Sequence, residues 1–362
     1  MQLDLATAGE SHGPALVAIL TGLPAGLTLE KAAIDTDLHR RQQGYGRSPR
    51  QKIEQDTVEV LAGLRHGRTL GTPLALVVRN RDHANWEWGM SPWPPEGEPT
   101  GKGTKAVTLP RPGHADLAGA LKYGLSDVRD ALERASARHT AVIVAAGAVA
   151  KALLRELGVD VEGRVLGDDL EPRVDEARAE RDTVGGVVEV RARGVPPGLG
   201  SYATKEERLD ARLAFTLMGT QAVKGVEIGE GFELAGKRGS HAHDEILRDD
   251  ERGLYRETNH AGGIEGGISN GEEIVVRAAM KPLPTLMQPL ASVDLETGEP
   301  TQALVERSDT AAVEALAVVA EACVAWELAR AARSKFGGDS LGDFLAAHRT
   351  YLERIDWQPR TR

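Results

Sequence analysis

The sequence has few aromatic side chains and almost no cysteine. Phe, Trp and Tyr together make up 4% of the 362 residues, and Cys323 is the one cysteine. One cysteine excludes an intrachain disulfide, and Cys323 lies in an apolar helical run where it fits a small buried hydrophobe. The sequence therefore predicts a core of Ala, Val, Leu and Ile in a protein of the reducing cytoplasm.

Long apolar runs, excess positive charge and known metal motifs are also lacking. The longest apolar run, Ala141–Ala150, is too short to span a bilayer, and the N-terminus has no signal-peptide pattern. The net charge of −10 argues against general nucleic-acid binding. No cysteine cluster, H-E-x-x-H, G-x-S-x-G, G-x-G-x-x-G or P-loop pattern occurs. We expect no metal, no nucleic acid and no membrane as partners.

Periodicity indicates the fold class. Strand patterns occur at residues 3–6, 15–20, 73–78, 187–192, 225–228 and 273–280. A polar helix is predicted at 30–42, and two helices at about 136–157 and 309–336 are apolar on almost every side, which predicts full burial. Because strands and helices do not alternate, we predict an α+β fold of helices sandwiched between antiparallel sheets, as a single domain over residues 1–362.

Residues 81–110 are rich in Pro and Gly and contain Trp86, Trp88 and Trp93. A stretch of this length without secondary structure is typical of a functional or mobile loop. A surface loop whose tryptophans pack down, or that forms an oligomer contact, fits the pattern equally well.

Two histidines lie in short turns. The sequence GESHG places Ser11 and His12 between two predicted strands, where backbone N–H groups and an imidazole can converge on an anion. A turn stabilised by its own hydrogen bonds is the simpler interpretation. His114 lies in RPGHAD, just before a helix that Asp116 can cap.

Arginines are concentrated in two segments. RRQQGYGRSPR, at residues 40–50, places arginines among glycines, and RASAR, at 134–138, precedes the first buried helix. Guanidinium groups suit phosphate and carboxylate, and a helix N-terminus favours an anion. A solvated basic surface and an ordinary helix start are the alternatives.

Three later segments combine glycine or proline with polar groups. NHAGGIEGGISNG at 259–271 lets a flat ring approach the backbone, or else forms a wide turn. KPLPT occupies 281–285, and KFGGDS ends at Ser340. Asp339 in the last segment fits the N-cap of the final helix as well as a catalytic carboxylate.

Taken in order, these motifs resemble chorismate synthase. GESHG, RRQQGYGR, RPGHAD, RASAR, KGVEIG, NHAGGIEGGISNG, KPLPT, RSD and KFGGDS cover the chain from about residue 1 to 355. The resemblance implies helices between two sheets, a homotetramer, and FMN that is needed reduced but is not consumed. The implied reaction is a 1,4-elimination of the 3-phosphate and a C6 hydrogen from 5-enolpyruvylshikimate 3-phosphate.

The resemblance also implies roles for individual residues. Acid–base groups are implied at His12, His114 and Asp339, with Ser11 and Ser136 as nearby hydroxyls. The implied flavin-binding positions are Arg134, Ala135, Ser136, Gln221, Ala222, Gly266, Lys281, Pro282, Leu283, Pro284, Thr285 and Arg307. Arg41 and Arg47 match positions linked to phosphorylated substrate and to NADPH, a candidate reductant.

The charge of the implied ligands agrees with the residues present. The substrate carries a phosphate and two carboxylates, and FMN carries another phosphate. Guanidinium groups that can bind these anions are Arg41, Arg47, Arg50, Arg111 and Arg138.

Some positions depart from the family pattern: Gln43, Ser48-Pro49, Ala135, His139 and Glu306. None of them removes an implied catalytic group. Two other functions stay open at this level: a flavin or nucleotide-phosphate sensor without turnover, and a flavin reductase that uses NADPH.

Overall fold

The computed structural model describes residues 2–47, 55–250, 253–305 and 309–357. Its helices are α1 (Lys31–Gln42), α2 (Asp116–Tyr123), α3 (Arg129–Ala135), α4 (Thr140–Arg155), α5 (Leu170–Glu180), α6 (Leu209–Met218), α7 (Gly239–Ala242), α8 (Val313–Phe336) and α9 (Leu341–Ile355). Its strands are β1 (Asp4–Ala8), β2 (Ala15–Thr21), β3 (Val58–Ala62), β4 (Leu64–Arg65), β5 (Arg68–Thr69), β6 (Leu74–Arg79), β7 (Asp160–Leu166), β8 (Gly186–Arg193), β9 (Val223–Ile228), β10 (Leu247–Asp249), β11 (Gly253–Tyr255), β12 (Ile264–Glu265), β13 (Ile268–Ser269), β14 (Ile274–Met280), β15 (Ala291–Val293) and β16 (Pro300–Gln302).

Two four-stranded antiparallel sheets enclose the central helices. The first sheet has the order β1-β2-β6-β3, and the second has the order β7-β8-β14-β9. In the second sheet Val190 lies opposite Val276, and both side chains are buried on the helix side. Because side chains alternate along a strand, one face of each sheet packs on the helices. The predicted α+β class, with helices between antiparallel sheets, is confirmed.

Helices α4 and α8 form the middle of this sandwich. Helix α4 contacts β2 and β6 of the first sheet, and α8 contacts β7 and β8 of the second. The two helices contact each other where Gly147 faces Ala322. A Cβ atom at Gly147 would lie 2.5 Å from the Cα of Ala322, so the glycine allows the helix backbones to approach closely.

Both buried helices start later than predicted. Helix α4 begins at Thr140 because Ser136 accepts a hydrogen bond from the backbone N–H of Arg138 and caps a separate 3-10 turn, Ala137–His139. Helix α8 begins at Val313 rather than at Asp309, whose carboxylate pairs with Arg47 instead. Within residues 81–110 the structure has a 3-10 turn at Arg81–Asn85.

One buried carboxylate connects several layers. Glu321 of α8 accepts hydrogen bonds from Lys151 of α4 at 2.6 Å and from Arg40 of α1 at 2.8 and 2.9 Å. It also accepts one from the backbone N–H of Gly163 in β7 at 3.0 Å. A buried carboxylate of this kind is tolerated because it is paired and hydrogen-bonded.

The stretch Arg129–Arg155 has the length and apolar composition of a membrane span, the one such candidate in the part of the chain that the structure describes. In the fold, 72% of its most apolar window is buried. Packing between the sheets therefore accounts for this apolarity.

We expect Gly147→Ala to destabilise the protein. Alanine would by itself favour the helix by roughly 1 kcal/mol, but its methyl group would overlap Ala322. The expected net loss in the free energy of unfolding is about 1–3 kcal/mol, measured by urea denaturation. Gly236→Ala is the matched control, since a Cβ there meets open space. Equal stability of the two variants would contradict the close contact.

Candidate active site

A cavity of about 560 Å³ lies where α4 and α8 begin. One wall is apolar and is formed by Leu132 together with Ala315, Leu316 and Val319 of α8. Arginine, lysine and histidine side chains also line the cavity. A volume of this size, apolar walls and a few converging polar groups are typical of a small-molecule or cofactor site.

The cavity brings together most of the predicted site residues. The turn after β1 contributes Ser11 and His12, and the segment before α4 contributes Ala135, Ser136 and Arg138. The remaining predicted acid–base and cationic groups on its surface are His114, Arg41, Arg47 and Arg111. The remaining predicted flavin positions on its surface are Gln221, Ala222, Lys281, Leu283, Pro284 and Thr285.

Arg41, Arg138 and Arg47 share two carboxylates. Asp56 accepts from Arg138 at 2.6 Å and from Arg41 at 3.5 Å, and Asp309 pairs with Arg47 at 2.9 Å. Burial lowers the pKa of Arg41 to about 10, because attraction by Asp56 is offset by repulsion from the neighbouring arginines. Three guanidinium groups therefore converge at the cavity, each within reach of a carboxylate.

Arg47 has an unused donor. Its side chain is largely buried, and among the described residues its Nε atom has no hydrogen-bond acceptor. Burial also lowers the pKa of Arg47, against the attraction of Asp309 and Glu314. A buried donor without an acceptor is unfavourable, so this position favours an anionic ligand.

His12 is held from two sides. Its Nδ1 atom lies 2.9 and 3.0 Å from the two carboxylate oxygens of Glu133. The indole of Trp86 stacks on the imidazole, with ring centroids 4.0 Å apart and planes inclined by 22°. Of the two interpretations of the tryptophan loop, packing down thus holds for Trp86, whereas Trp93 is 77% exposed.

His114 and Arg111 share the buried carboxylate of Asp116. Arg111 donates to it from Nε at 2.8 Å and from Nη2 at 3.2 Å, and His114 Nδ1 is also hydrogen-bonded to it. Burial opposes ionisation of Asp116, but the hydrogen bonds from His114 and Arg111 hold its pKa well below the usual range. The N-cap of α2 is Ala115, so the capping role predicted for Asp116 is wrong.

Comparisons with known proteins give the family. The family model described as chorismate synthase matches residues 3–167 and 165–332. The chorismate synthase of Desulforudis audaxviator is 53% identical over 382 residues, covering 96% of this chain and 97% of its own length. That of Anaeromyxobacter dehalogenans is 51% identical over 388 residues, covering 98% and 100%.

The chain belongs to the chorismate synthase family. A solved structure described as the crystal structure of chorismate synthase superposes with a TM-score of 0.78 at 36% identity, covering 98% of both chains. The chain is thus a lyase of the shikimate pathway that forms chorismate by eliminating phosphate from 5-enolpyruvylshikimate 3-phosphate.

Three of the flavin positions that the chorismate synthase resemblance implied do not line the cavity. Arg134 is hydrogen-bonded to His139 Nδ1 at 2.6 Å, and burial lowers the pKa of His139 to about 4, with repulsion from Arg134 adding to the effect. Gly266 lies in the β12–β13 turn, beyond the end of β14 opposite to the cavity. Pro282 does not line the cavity, although both of its neighbours do. Arg50 and Arg307 lie outside the described residues.

Asp339 follows the C-terminal end of α8. It is separated from Val319 by about 25 Å of helix, at 1.5 Å per residue. The alternative role as N-cap is wrong, because Ser340 caps α9 in a reciprocal arrangement with Asp343. Gly338 has φ +80°, and a Cβ there would lie 2.7 Å from the backbone N of Phe344, so the turn itself requires this glycine.

The carboxylates that organise the site were missed in the sequence. Asp56, Glu133 and Asp309 each hold a cavity residue. Single acidic residues normally lie on the surface, so none of them stands out without the fold. A signal was available for two of them in their position in the sequence: Glu133 directly precedes the motif RASAR, and Asp309 is the last residue of the motif RSD.

We expect Asp116→Asn to lower stability and to misplace His114. Asparagine leaves Arg111 without its buried counter-charge, which should reduce the free energy of unfolding at pH 7 by about 3 kcal/mol. Because the folded-state pKa of Asp116 is depressed, its contribution is present above about pH 4 and is lost as the pH falls below that value. Urea denaturation at pH 7 and pH 3 should show the difference from wild type shrinking at the lower pH. A difference that does not change with pH would contradict the charge pairing.

Proposed function

We propose that this cavity holds 5-enolpyruvylshikimate 3-phosphate beside reduced FMN. The observation that carries the proposal is the convergence of four arginines and two histidines with apolar side chains on the surface of one cavity. The anionic groups of substrate and cofactor match the cations, and a flat ring matches the wall.

The residues present fit FMN. Small side chains on the cavity surface, among them Ala135, Ala312 and Ala315, leave room for a ring system against Leu316 and Val319. Other groups that would hold the cofactor are Gln221, Ala222, Lys281, Leu283, Pro284 and Thr285. Ser136 and the N-terminal end of α4 offer donors for its phosphate. When bound, reduced FMN supplies an electron transiently to an elimination that has no net oxidation.

The side chains of the chain have separate tasks in this proposal. Arg41, Arg47 and Arg138 bind and orient the anionic groups of the substrate. The C3–O bond breaks and the phosphate leaves with the bonding electrons. C6 loses its hydrogen as a proton, and the electrons of the C6–H bond form the new double bond; this proton would be accepted by the bound cofactor. His12 is the acid that protonates the leaving phosphate, and His114 faces the flavin. Ser11 and Ser136, whose hydroxyl oxygens lie 3.3 Å apart, are nearby hydroxyl groups.

A cytoplasmic homotetramer is part of the same proposal. Gly266 and Asp339 lie beyond the far ends of β14 and α8, so within one chain they do not reach the cavity. In a homo-oligomer, the far end of one chain can meet the cavity of another, which would give both residues access to ligand. Exposed Ile19 and Leu61 on the first sheet provide apolar surface for such contacts. Cys323 is buried and reduced, which suits the cytoplasm.

We expect chorismate formation to require reduced FMN and to leave it reduced. The test is anaerobic turnover of flavin-free protein with and without dithionite-reduced FMN, followed by product absorbance and flavin spectrum. Full turnover without flavin would refute the cofactor assignment. A third reaction with oxidised FMN and NADPH as sole reductant measures flavin reductase activity, and turnover there would make NADPH the reductant. A protein that binds FMN and substrate without turnover would instead be a sensor.

We expect Arg47→Ala to weaken substrate binding. One charge-assisted hydrogen bond contributes about 1.5–3 kcal/mol, which corresponds to about a ten- to hundredfold higher dissociation constant. Isothermal titration with 5-enolpyruvylshikimate 3-phosphate measures it. Arg65→Ala removes an exposed arginine away from the cavity and is the matched control. An unchanged dissociation constant in Arg47→Ala would remove this residue from the substrate site.

A further inference from the structure

Glu133 is a buried carboxylate on α3 that does not line the cavity. Its residue is 2% exposed, and its two oxygens lie 2.9 and 3.0 Å from Nδ1 of His12. Oε2 also accepts a hydrogen bond from the backbone N–H of His12 at 2.9 Å. The Glu133 carboxylate thus holds both the imidazole and the backbone N–H of His12.

The same residue anchors the turn that carries His12. The backbone N–H of Ser11 donates to the carbonyl oxygen of Glu133 at 3.1 Å. Arg129, one turn earlier on α3, donates to the Glu133 carboxylate at 3.4 Å. Glu133 therefore joins β1–β2 to α3 directly at the cavity.

The imidazole plane is restrained as well. Trp86 is 8% exposed and stacks on His12, while the guanidinium of Arg129 lies 4.9 Å from the indole centroid. The Nδ1 atom of His83 is hydrogen-bonded to the carbonyl oxygen of His12 at 2.9 Å. A ring flip that exchanged the two nitrogens would give up the Glu133 contact.

Glu133 is ionised in this arrangement. Burial alone would raise its pKa, but the hydrogen bonds from the His12 ring and backbone, with the charge of Arg129, lower it below the ordinary value. An ionised carboxylate only accepts hydrogen bonds, so the Nδ1 atom of His12 carries a proton. In the neutral imidazole the lone pair then lies on Nε2.

We propose that Glu133 is a positioning residue that keeps the proton of His12 on Nδ1, so that Nε2 is the atom that exchanges a proton with the substrate. The inference rests on the acid role of His12 proposed above. The imidazolium gives its Nε2 proton to the phosphate oxygen as the C3–O bond breaks, and the neutral ring that remains has the tautomer that Glu133 already binds. The Nδ1–H hydrogen bond is thus kept before and after the transfer.

The first test is Glu133→Gln, which keeps the size of the side chain and removes its charge. We expect kcat to fall about tenfold to a thousandfold, as expected when an imidazole is no longer held in the right tautomer, while the substrate dissociation constant changes little. Glu10→Gln removes a carboxylate from the exposed part of the same turn and should leave kcat unchanged. Equal kcat in Glu133→Gln and wild type would overturn the proposal.

The second test observes the tautomer directly. Solid-state NMR of protein labelled with ¹⁵N-histidine, at a pH where imidazoles are neutral, distinguishes a protonated Nδ1 from a protonated Nε2. The His12→Ala spectrum identifies the signals of His12. We expect a protonated Nδ1 in wild type and a shift toward the Nε2–H form in Glu133→Gln. A wild-type ring protonated on Nε2 would overturn the proposal whatever the kinetics show.

The third test separates positioning from a merely structural role. If Glu133 acts through His12, then adding Glu133→Gln to His12→Ala should cost no further activity, because coupled residues are not additive. A full additional loss would show that Glu133 acts elsewhere. If His12→Ala itself keeps normal turnover, the acid role of His12 fails, while the NMR result still decides whether Glu133 sets the tautomer.

Discussion

The contact between α4 and α8 is the constraint on which the rest of the structure depends. Both helices are apolar on nearly every side, so each must be covered by its partner and by a sheet. Gly147 against Ala322 lets the two backbones approach, and the antiparallel sheets close the layers above and below. Because both helices begin at the cavity, their N-terminal ends also add positive potential there.

Buried charged groups are paired to different extents in the middle of the sandwich and at the end that carries the cavity. In the middle, Glu321 is surrounded by donors from three elements, and burial is offset by complete pairing. At the cavity, Arg41, Arg138 and Arg47 share Asp56 and Asp309, and one donor of Arg47 has no acceptor among the residues described. A buried donor without an acceptor is unfavourable, so the open end favours an anionic ligand and the middle does not.

The sequence was sufficient to predict the layers of the fold and most of the residues on the cavity surface. Few folds can bury two long helices that are apolar on almost every side, and this is why the sandwich could be predicted. The elements that were not predicted, such as β3, β7, α5 and α6, are short or rich in charge, and periodicity is weak there. The start of α8 was misplaced because Asp309 pairs with an arginine that is distant in sequence.

Predictions for individual residues failed where two adjacent residues were equally suited, by residue type, to the same role. Asp339 and Ser340 are both good N-caps, and only the fold shows that Ser340 has Asp343 for a reciprocal bond. Aspartate is common at helix N-caps, which is why Asp116 was a candidate for one. In the structure its buried partners are Arg111 and His114. Tertiary partners decide such cases, and a single sequence does not contain them.

The crowding of arginines connects stability with function. Burial and repulsion from neighbouring arginines lower the pKa of Arg41, so its protonated form is less favourable in the folded protein than in water. A bound phosphate or carboxylate would add negative charge beside Arg41 and oppose this repulsion. In the proposed function, ligand binding would therefore add to fold stability through Arg41 and its neighbours, because an anion that binds the folded protein stabilises it.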